Sequence, residues 1–178
     1  MKDFKFIAKV GLSLFVICSI VALMLAVVNG LTKDKIVENS NKQMQETISS
    51  IFGDGIELKE TDVSPSETVA TVYQVERDGS KIGYAVYAVP QGFKGPIEMM
   101  VGINLDGSIM DVEIVSLSET PGLGSKVAED AFIAQYKNAT APYTVKENIS
   151  PVAGATISSK AVTAGVNAAL EAVGGLAG

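Results

Sequence analysis

Two short segments of this chain combine residue types able to hold a ligand. The first, Glu119-Thr120-Pro121-Gly122-Leu123-Gly124, follows a β-rich run and precedes a helical one. Gly122 and Gly124 remove side chains there, so the backbone can approach a flat ligand closely. The second, Val152-Ala153-Gly154-Ala155-Thr156-Ile157-Ser158-Ser159-Lys160, leads into the last helical stretch. A helix N-terminus presents unpaired N–H groups and a partial positive charge, so a phosphate tied to the Thr156 hydroxyl would have its remaining charge stabilised. Gly154 and Ala155 keep that approach uncrowded. Each segment also has an ordinary reading. The first is a Pro-Gly turn, and in the second Ser158 or Ser159 caps the helix.

Composition narrows the chemistry. The 178 residues include no His and a single Cys, Cys18, which lies in an apolar run. No Ser/His/Asp or Cys/His catalytic arrangement, and no Cys/His metal site, can be assembled outside that run. The formal net charge of -6 argues against nucleic acid as a partner, because neutralising phosphates takes clustered Lys and Arg. Redox chemistry in such a chain has to come from a bound organic cofactor.

Several elements must carry these segments. Residues 10–30 are uncharged, about the 20 residues a helix needs to cross roughly 30 Å of hydrocarbon. The apolar core of a cleaved signal peptide is shorter, about 7 to 15 residues, and no small-x-small cleavage site follows. Lys2, Lys5 and Lys9 precede the run against Asp3, whereas Lys33 and Lys35 bracket Asp34 beyond it. This bias predicts a cytoplasmic N-terminus, with everything past the span outside the cytoplasm. Beyond it, Ile36, Val37, Met44, Ile48 and Ile51 recur as one helical face, and Gly53-Asp54-Gly55 ends that stem. The expected organisation is therefore 1–30 for the N-terminus and span, 31–55 for the stem, and 56–178 for one folded domain.

Within that domain, Ser64-Pro65-Ser66 reads as a loop. Runs at 69–77 and 81–89 flank Asp78-Gly79, and runs at 98–105 and 109–116 flank Asp106-Gly107, which predicts two β-hairpins. Met99, Val101, Ile103 and Leu105 alternate as in a half-buried strand. Helical periodicity covers 125–136 and about 159–173, and the polar stretch 137–149 reads as a connection or short edge strand. The fold class is α+β.

The two motifs together resemble the flavin-binding domain shared by the G subunit of Rnf complexes and the C subunit of the sodium-translocating NADH:quinone reductase. There an ETPGLG-like turn is followed by a Ser-Gly-Ala-Thr type segment, whose Thr carries flavin mononucleotide (FMN) through a phosphoester. Thr156 is the matching residue, and the resemblance extends over nearly the whole chain. Ala153 departs from it, standing where many members have Ser. The resemblance implies one covalent FMN, with Ser158 and Ser159 near the phosphate and Glu119, Thr120, Gly122, Leu123 and Gly124 near the isoalloxazine ring. Lys126 is either a cation beside that ring or a solvated helix residue. The resemblance further implies a membrane-anchored electron relay, working with other membrane subunits of a complex that couples ferredoxin:NAD electron transfer to Na+ or H+ translocation; the alternative is the C subunit of a sodium-translocating NADH:quinone reductase, and the short chain favours the Rnf member. A flavin transferase would be needed for maturation. One span without intramembrane charge offers no ion path of its own. Two further readings are a pilin-like structural protein, whose early helper Glu is missing between Phe4 and Leu14, and an anchored module that holds flavin without passing electrons.

Overall fold

The computed structural model describes residues 2–63, 66–138 and 141–176. By its contacts the chain divides into two compact units, Met1–Gln43 and Met44–Gly178.

The first unit is helical throughout its described length, as part of helix α1, Lys2–Phe52. Phe6–Lys33 is, among the described residues, the one helical stretch long and apolar enough to cross a membrane. At about 1.5 Å per residue its 28 residues exceed the thickness of a hydrocarbon core. The Ser13 hydroxyl donates to the Lys9 carbonyl at 2.9 Å and Thr32 donates to Val28, so these hydroxyls bond within the helix itself. The side chains of Lys2, Asp3, Phe4, Lys5, Asp34, Ile36 and Val37 lie outside the described residues, as do Ser64 and Pro65 of the expected loop.

The second unit is built on a five-stranded antiparallel sheet in simple sequence order: β1 Ile56–Glu60, β2 Val69–Arg77, β3 Ser80–Ala88, β4 Ile97–Asn104 and β5 Ile109–Leu117. The two expected hairpins are β2-β3 and β4-β5, but their shared Asp-Gly dipeptide makes two different turns. Asp78 and Gly79 both have positive φ, as a two-residue turn of the primed type requires. At the second turn only Gly107 does, and the Asn104 carbonyl accepts its N–H at 3.0 Å within a longer loop.

Helices α2, Asp130–Asn138, and α3, Thr156–Gly174, cover one face of the sheet, where Val86, Met99, Val101 and Ile103 pack with Phe132, Tyr136, Val162 and Val166. The end of α1 covers the other, with Ile48 and Phe52 against Val75, Ala85 and Met100. Phe52 enters a slot made by two glycines. A Cβ on Gly83 would lie 2.8 Å from its ring, and one on Gly102 would lie 3.3 Å from it. Arg77 donates to the Phe52 carbonyl and so caps the helix end. Because both faces are covered, β4 is buried on both sides, which corrects the expectation of a half-buried strand; Leu105 falls beyond its end and is exposed.

Three more expectations change. Strand β1 went unanticipated. The single helix at 125–136 is a short 3-10 turn, Gly124–Ala128, followed by α2, with extended backbone at Glu129 between them. Stretch 137–149 forms no strand among its described residues, only an isolated bridge between Val145 and Ile149.

Candidate functional site

The ETPGLG turn is closed by its own backbone. Leu123 and Ser125 donate to the Thr120 carbonyl at 3.1 and 3.2 Å, and the Gly122 N–H donates to the Ser125 hydroxyl at 2.9 Å. Gly122 has φ +72, which glycine adopts without strain, and a Cβ there would meet nothing within 4 Å. Gly124 is glycine for another reason. A Cβ would stand 2.6 Å from Glu119 Oε2 and 3.1 Å from Ser158 Oγ.

The second segment bends at Gly154, φ +78, and enters α3 directly at Thr156. Ser158 and Ser159 therefore lie inside the helix and are not caps. Ala155 occupies the cap position and supplies no side-chain bond. The Ser159 hydroxyl instead accepts the Val152 N–H and donates to the Ala155 carbonyl, both at 3.0 Å, clamping the bend onto the first turn. Ser159 is the first helix residue whose N–H finds a backbone carbonyl, that of Ala155. The preceding N–H groups of the first turn are left as donors, as at any uncapped helix start.

The two segments meet across a cleft of ≈ 400 Å3. Glu119, Thr120, Leu123 and Gly124 line one side, and Gly154, Ala155, Thr156 and Ser158 line the other. They are in contact: a Cβ on Gly154 would lie 2.7 Å from Leu123 Cδ1. Neither the Thr156 nor the Ser158 hydroxyl has a hydrogen-bond partner among the described residues, although Ser158 is buried. Of the ten expected residues, Gly122 and Ser159 lie outside the lining: one serves turn geometry, the other the clamp.

Phe93 and Ile157 complete the lining and were not anticipated. Ile157 follows Thr156 directly and was within reach of the motif; Phe93 comes from the loop between β3 and β4, and nothing local marks it. Lys126 is exposed and borders a different, smaller cavity with Glu129, Gln135 and Pro151. A roomier hollow of ≈ 610 Å3 lies beside β5, where Asp111, Glu113, Asp130 and Lys137 face it, and contains none of the expected residues. Helix α2 is tied to α3 by Tyr136, whose hydroxyl pairs with Thr163 Oγ1 at 2.8 Å. Burial pushes the Tyr136 phenol well above its ordinary range, so it stays neutral.

The cleft suits a ligand with a flat apolar part and an anionic end. Leu123, Ile157 and Phe93 supply apolar walls, while unpaired N–H groups and two free hydroxyls gather at the start of α3. FMN has both parts, so the residues present fit it.

Residues 92–171 match the family model of the FMN-binding domain, and residues 1–51 match that of the RnfG N-terminal region. Fold and cleft thus define an FMN-binding domain carried behind an N-terminal apolar helix. The chain is 32% identical over 179 residues to the G subunit of the proton-translocating ferredoxin:NAD(+) oxidoreductase complex of Clostridium ljungdahlii, covering 97% of this chain and 94% of that one. It is also 32% identical over 191 residues to the G subunit of the Na(+)-translocating complex of Acetobacterium woodii, covering 95% and 92%. The chain belongs to the family of Rnf complex G subunits, the electron-transport subunits with an FMN-binding domain. Among solved structures, the C subunit of the Na(+)-translocating NADH-quinone reductase from Parabacteroides distasonis aligns at a TM-score of 0.48, with 20% identity over 60% of this chain and 62% of that one.

Proposed function

We propose that this protein carries FMN covalently through a phosphoester to Thr156 and relays electrons within an Rnf-type membrane complex that couples ferredoxin:NAD electron transfer to Na+ or H+ translocation. The observation that carries the reading is the Thr156 hydroxyl, unpaired at the first residue of α3 and facing a cleft whose opposite wall is the ETPGLG turn. Thr156 Oγ1 tethers. The N–H groups of the first helical turn and the Ser158 hydroxyl stabilise the phosphate charge that remains after esterification. Leu123, Ile157 and Phe93 exclude water from the ring. When bound, the isoalloxazine supplies the redox chemistry, taking up and passing on electrons. A covalent tether also prevents loss of the cofactor outside the cytoplasm, where residues 56–178 lie beyond the span 1–30 and the stem 31–55. Other membrane subunits supply the redox neighbours and the ion path, the bilayer holds the helix, and a flavin transferase installs the group.

Thr156→Val keeps the branching while deleting a hydroxyl that has no hydrogen-bond partner among the described residues, so the fold should persist at a cost of about 1 kcal/mol or less. In a host that has the transferase, the parent band on a denaturing gel should fluoresce under ultraviolet light and the Thr156→Val band should be dark. Intact mass should differ by one FMN. Ser158→Ala and Thr163→Val should still fluoresce, and a fluorescent Thr156→Val band would move the attachment to a neighbouring hydroxyl. A module that holds flavin without passing electrons would keep the flavin oxidised and coloured when the intact complex is supplied with its electron donor, whereas a relay would bleach.

A further inference from the structure

Phe93 stands on the loop between β3 and β4, 65% exposed, and is the aromatic member of the cleft lining. The loop closes on itself at its base, where the Gly92 N–H donates to the Gly95 carbonyl and the Ile97 N–H to the Pro90 carbonyl, each at 2.9 Å. Its tip is held from outside. Glu119 Oε1 accepts the Phe93 N–H at 2.6 Å and the Lys94 N–H at 3.3 Å. The Glu119 side chain is only 6% exposed and passes through space that two glycines leave open: a Cβ on Gly92 would collide with Oε1, and one on Gly124 would stand 2.6 Å from Oε2. Glu119 therefore ties the ETPGLG turn to a loop 25 to 26 residues upstream.

We infer that Glu119 is a positioning residue whose carboxylate fixes Phe93 as an aromatic wall for the flat end of the ligand in this cleft. The inference rests on the reading that this ligand is flavin. Two backbone N–H groups converge on one carboxylate oxygen, an acceptor that a glutamine amide oxygen can replace, and these bonds orient the tip of the loop. An aromatic side chain held in place stacks on a flat ring at an offset and alters its absorbance and emission. Glu119→Gln keeps an oxygen acceptor and removes the charge; Glu119→Ala removes both. The pair separates a strut from a charge acting on the ring.

The test uses the full chain in detergent. On protein made without the transferase, hydrogen exchange at the Phe93 and Lys94 amides should run about ten- to a hundredfold faster in Glu119→Ala than in the parent, and near the parent rate in Glu119→Gln. On flavin-bearing protein, Phe93→Ala and Glu119→Ala should shift the absorbance and raise the native emission alike. The double variant should go no further, and Glu119→Gln should keep the parent spectrum. Unchanged exchange in Glu119→Ala overturns the strut, and an unchanged spectrum in Phe93→Ala overturns the wall. A Glu119→Gln spectrum matching Glu119→Ala assigns Glu119 to charge and overturns its positioning role. The denaturing gel reports the tether separately: a dark parent band would sink the flavin reading, while exchange on the unloaded protein still decides the strut.

Discussion

Gly154 brings the two walls of the cleft together because it lacks a side chain and has φ +78. An alanine there would cost about 1 to 2 kcal/mol for the left-handed backbone and would push Leu123 off its seat. Gly122, at φ +72, carries the same backbone cost, but a Cβ on it meets nothing. The two substitutions therefore share a stability penalty and differ in what they do to the wall. Thermal melts of Gly122→Ala and Gly154→Ala should fall together by a few degrees, as expected when about 1 to 2 kcal/mol is lost from a domain of this size. In the flavin-bearing fraction, Gly154→Ala should shift the absorbance maximum and Gly122→Ala should leave it in place. Equal spectra for both would mean that Leu123 is no part of the ring's surroundings. Neither role was fully legible in the sequence. Both motifs were visible as strings, but a glycine excused by turn geometry looks the same as one excused by close approach until the neighbours are known.

Among the elements, legibility followed how local the cause is. The Asp-Gly hairpins and the last helix rest on turn chemistry and periodicity within a few residues, and they stand where the sequence put them, within one or two positions for the strands. The start of α3 was read three residues late because its cap, Ala155, makes no side-chain bond and leaves no capping signal. Strand β1 was missed because five residues, Ile-Glu-Leu-Lys-Glu, are too few to establish a period; its pairing with β2 is helped by the Lys59–Glu76 ion pair at 2.6 Å, a contact between distant positions. Phe93 was missed for the same reason, since Glu119, which holds it, is far along the chain. The seat of Phe52 is another nonlocal feature, and it can be tested. Truncating this buried ring in Phe52→Ala should cost about 3 to 5 kcal/mol. Gly102→Ala narrows the slot from the other side, against Ile51 and Phe52, and should cost about 1 to 3 kcal/mol. Because both act on one contact, the double variant should lose less than the sum. Strict additivity in chemical denaturation of the purified chain would show that the slot and the ring do not depend on each other.

At the scale of the whole molecule, the function proposed for Thr156 depends on which side of the membrane the folded domain reaches. The apolarity of a candidate span does not set its direction, so orientation has to come from the flanking charges. Lys2, Lys5 and Lys9 stand against Asp3 on one side, while Lys33 and Lys35 stand against Asp34 on the other. The difference between the flanks is small, but cationic residues within about 15 to 20 positions of a span are the ones that count, and those before it also lead insertion. The N-terminus should stay in the cytoplasm and the FMN-binding domain should be exported. A C-terminal reporter active only in the cytoplasm should be silent in the parent, and one active only outside should respond. Replacing Lys2, Lys5 and Lys9 together by Gln leaves Lys33 and Lys35 as the stronger flank, so part of the population should invert and the cytoplasmic reporter should switch on. Inverted molecules would place Thr156 in the cytoplasm, away from a transferase acting on the side where the parent domain lies, so in-gel flavin fluorescence per molecule should fall in proportion. A parent chain whose cytoplasmic reporter is active would reverse the topology, and a triple variant that keeps full fluorescence while inverting would show that flavin is installed without regard to side.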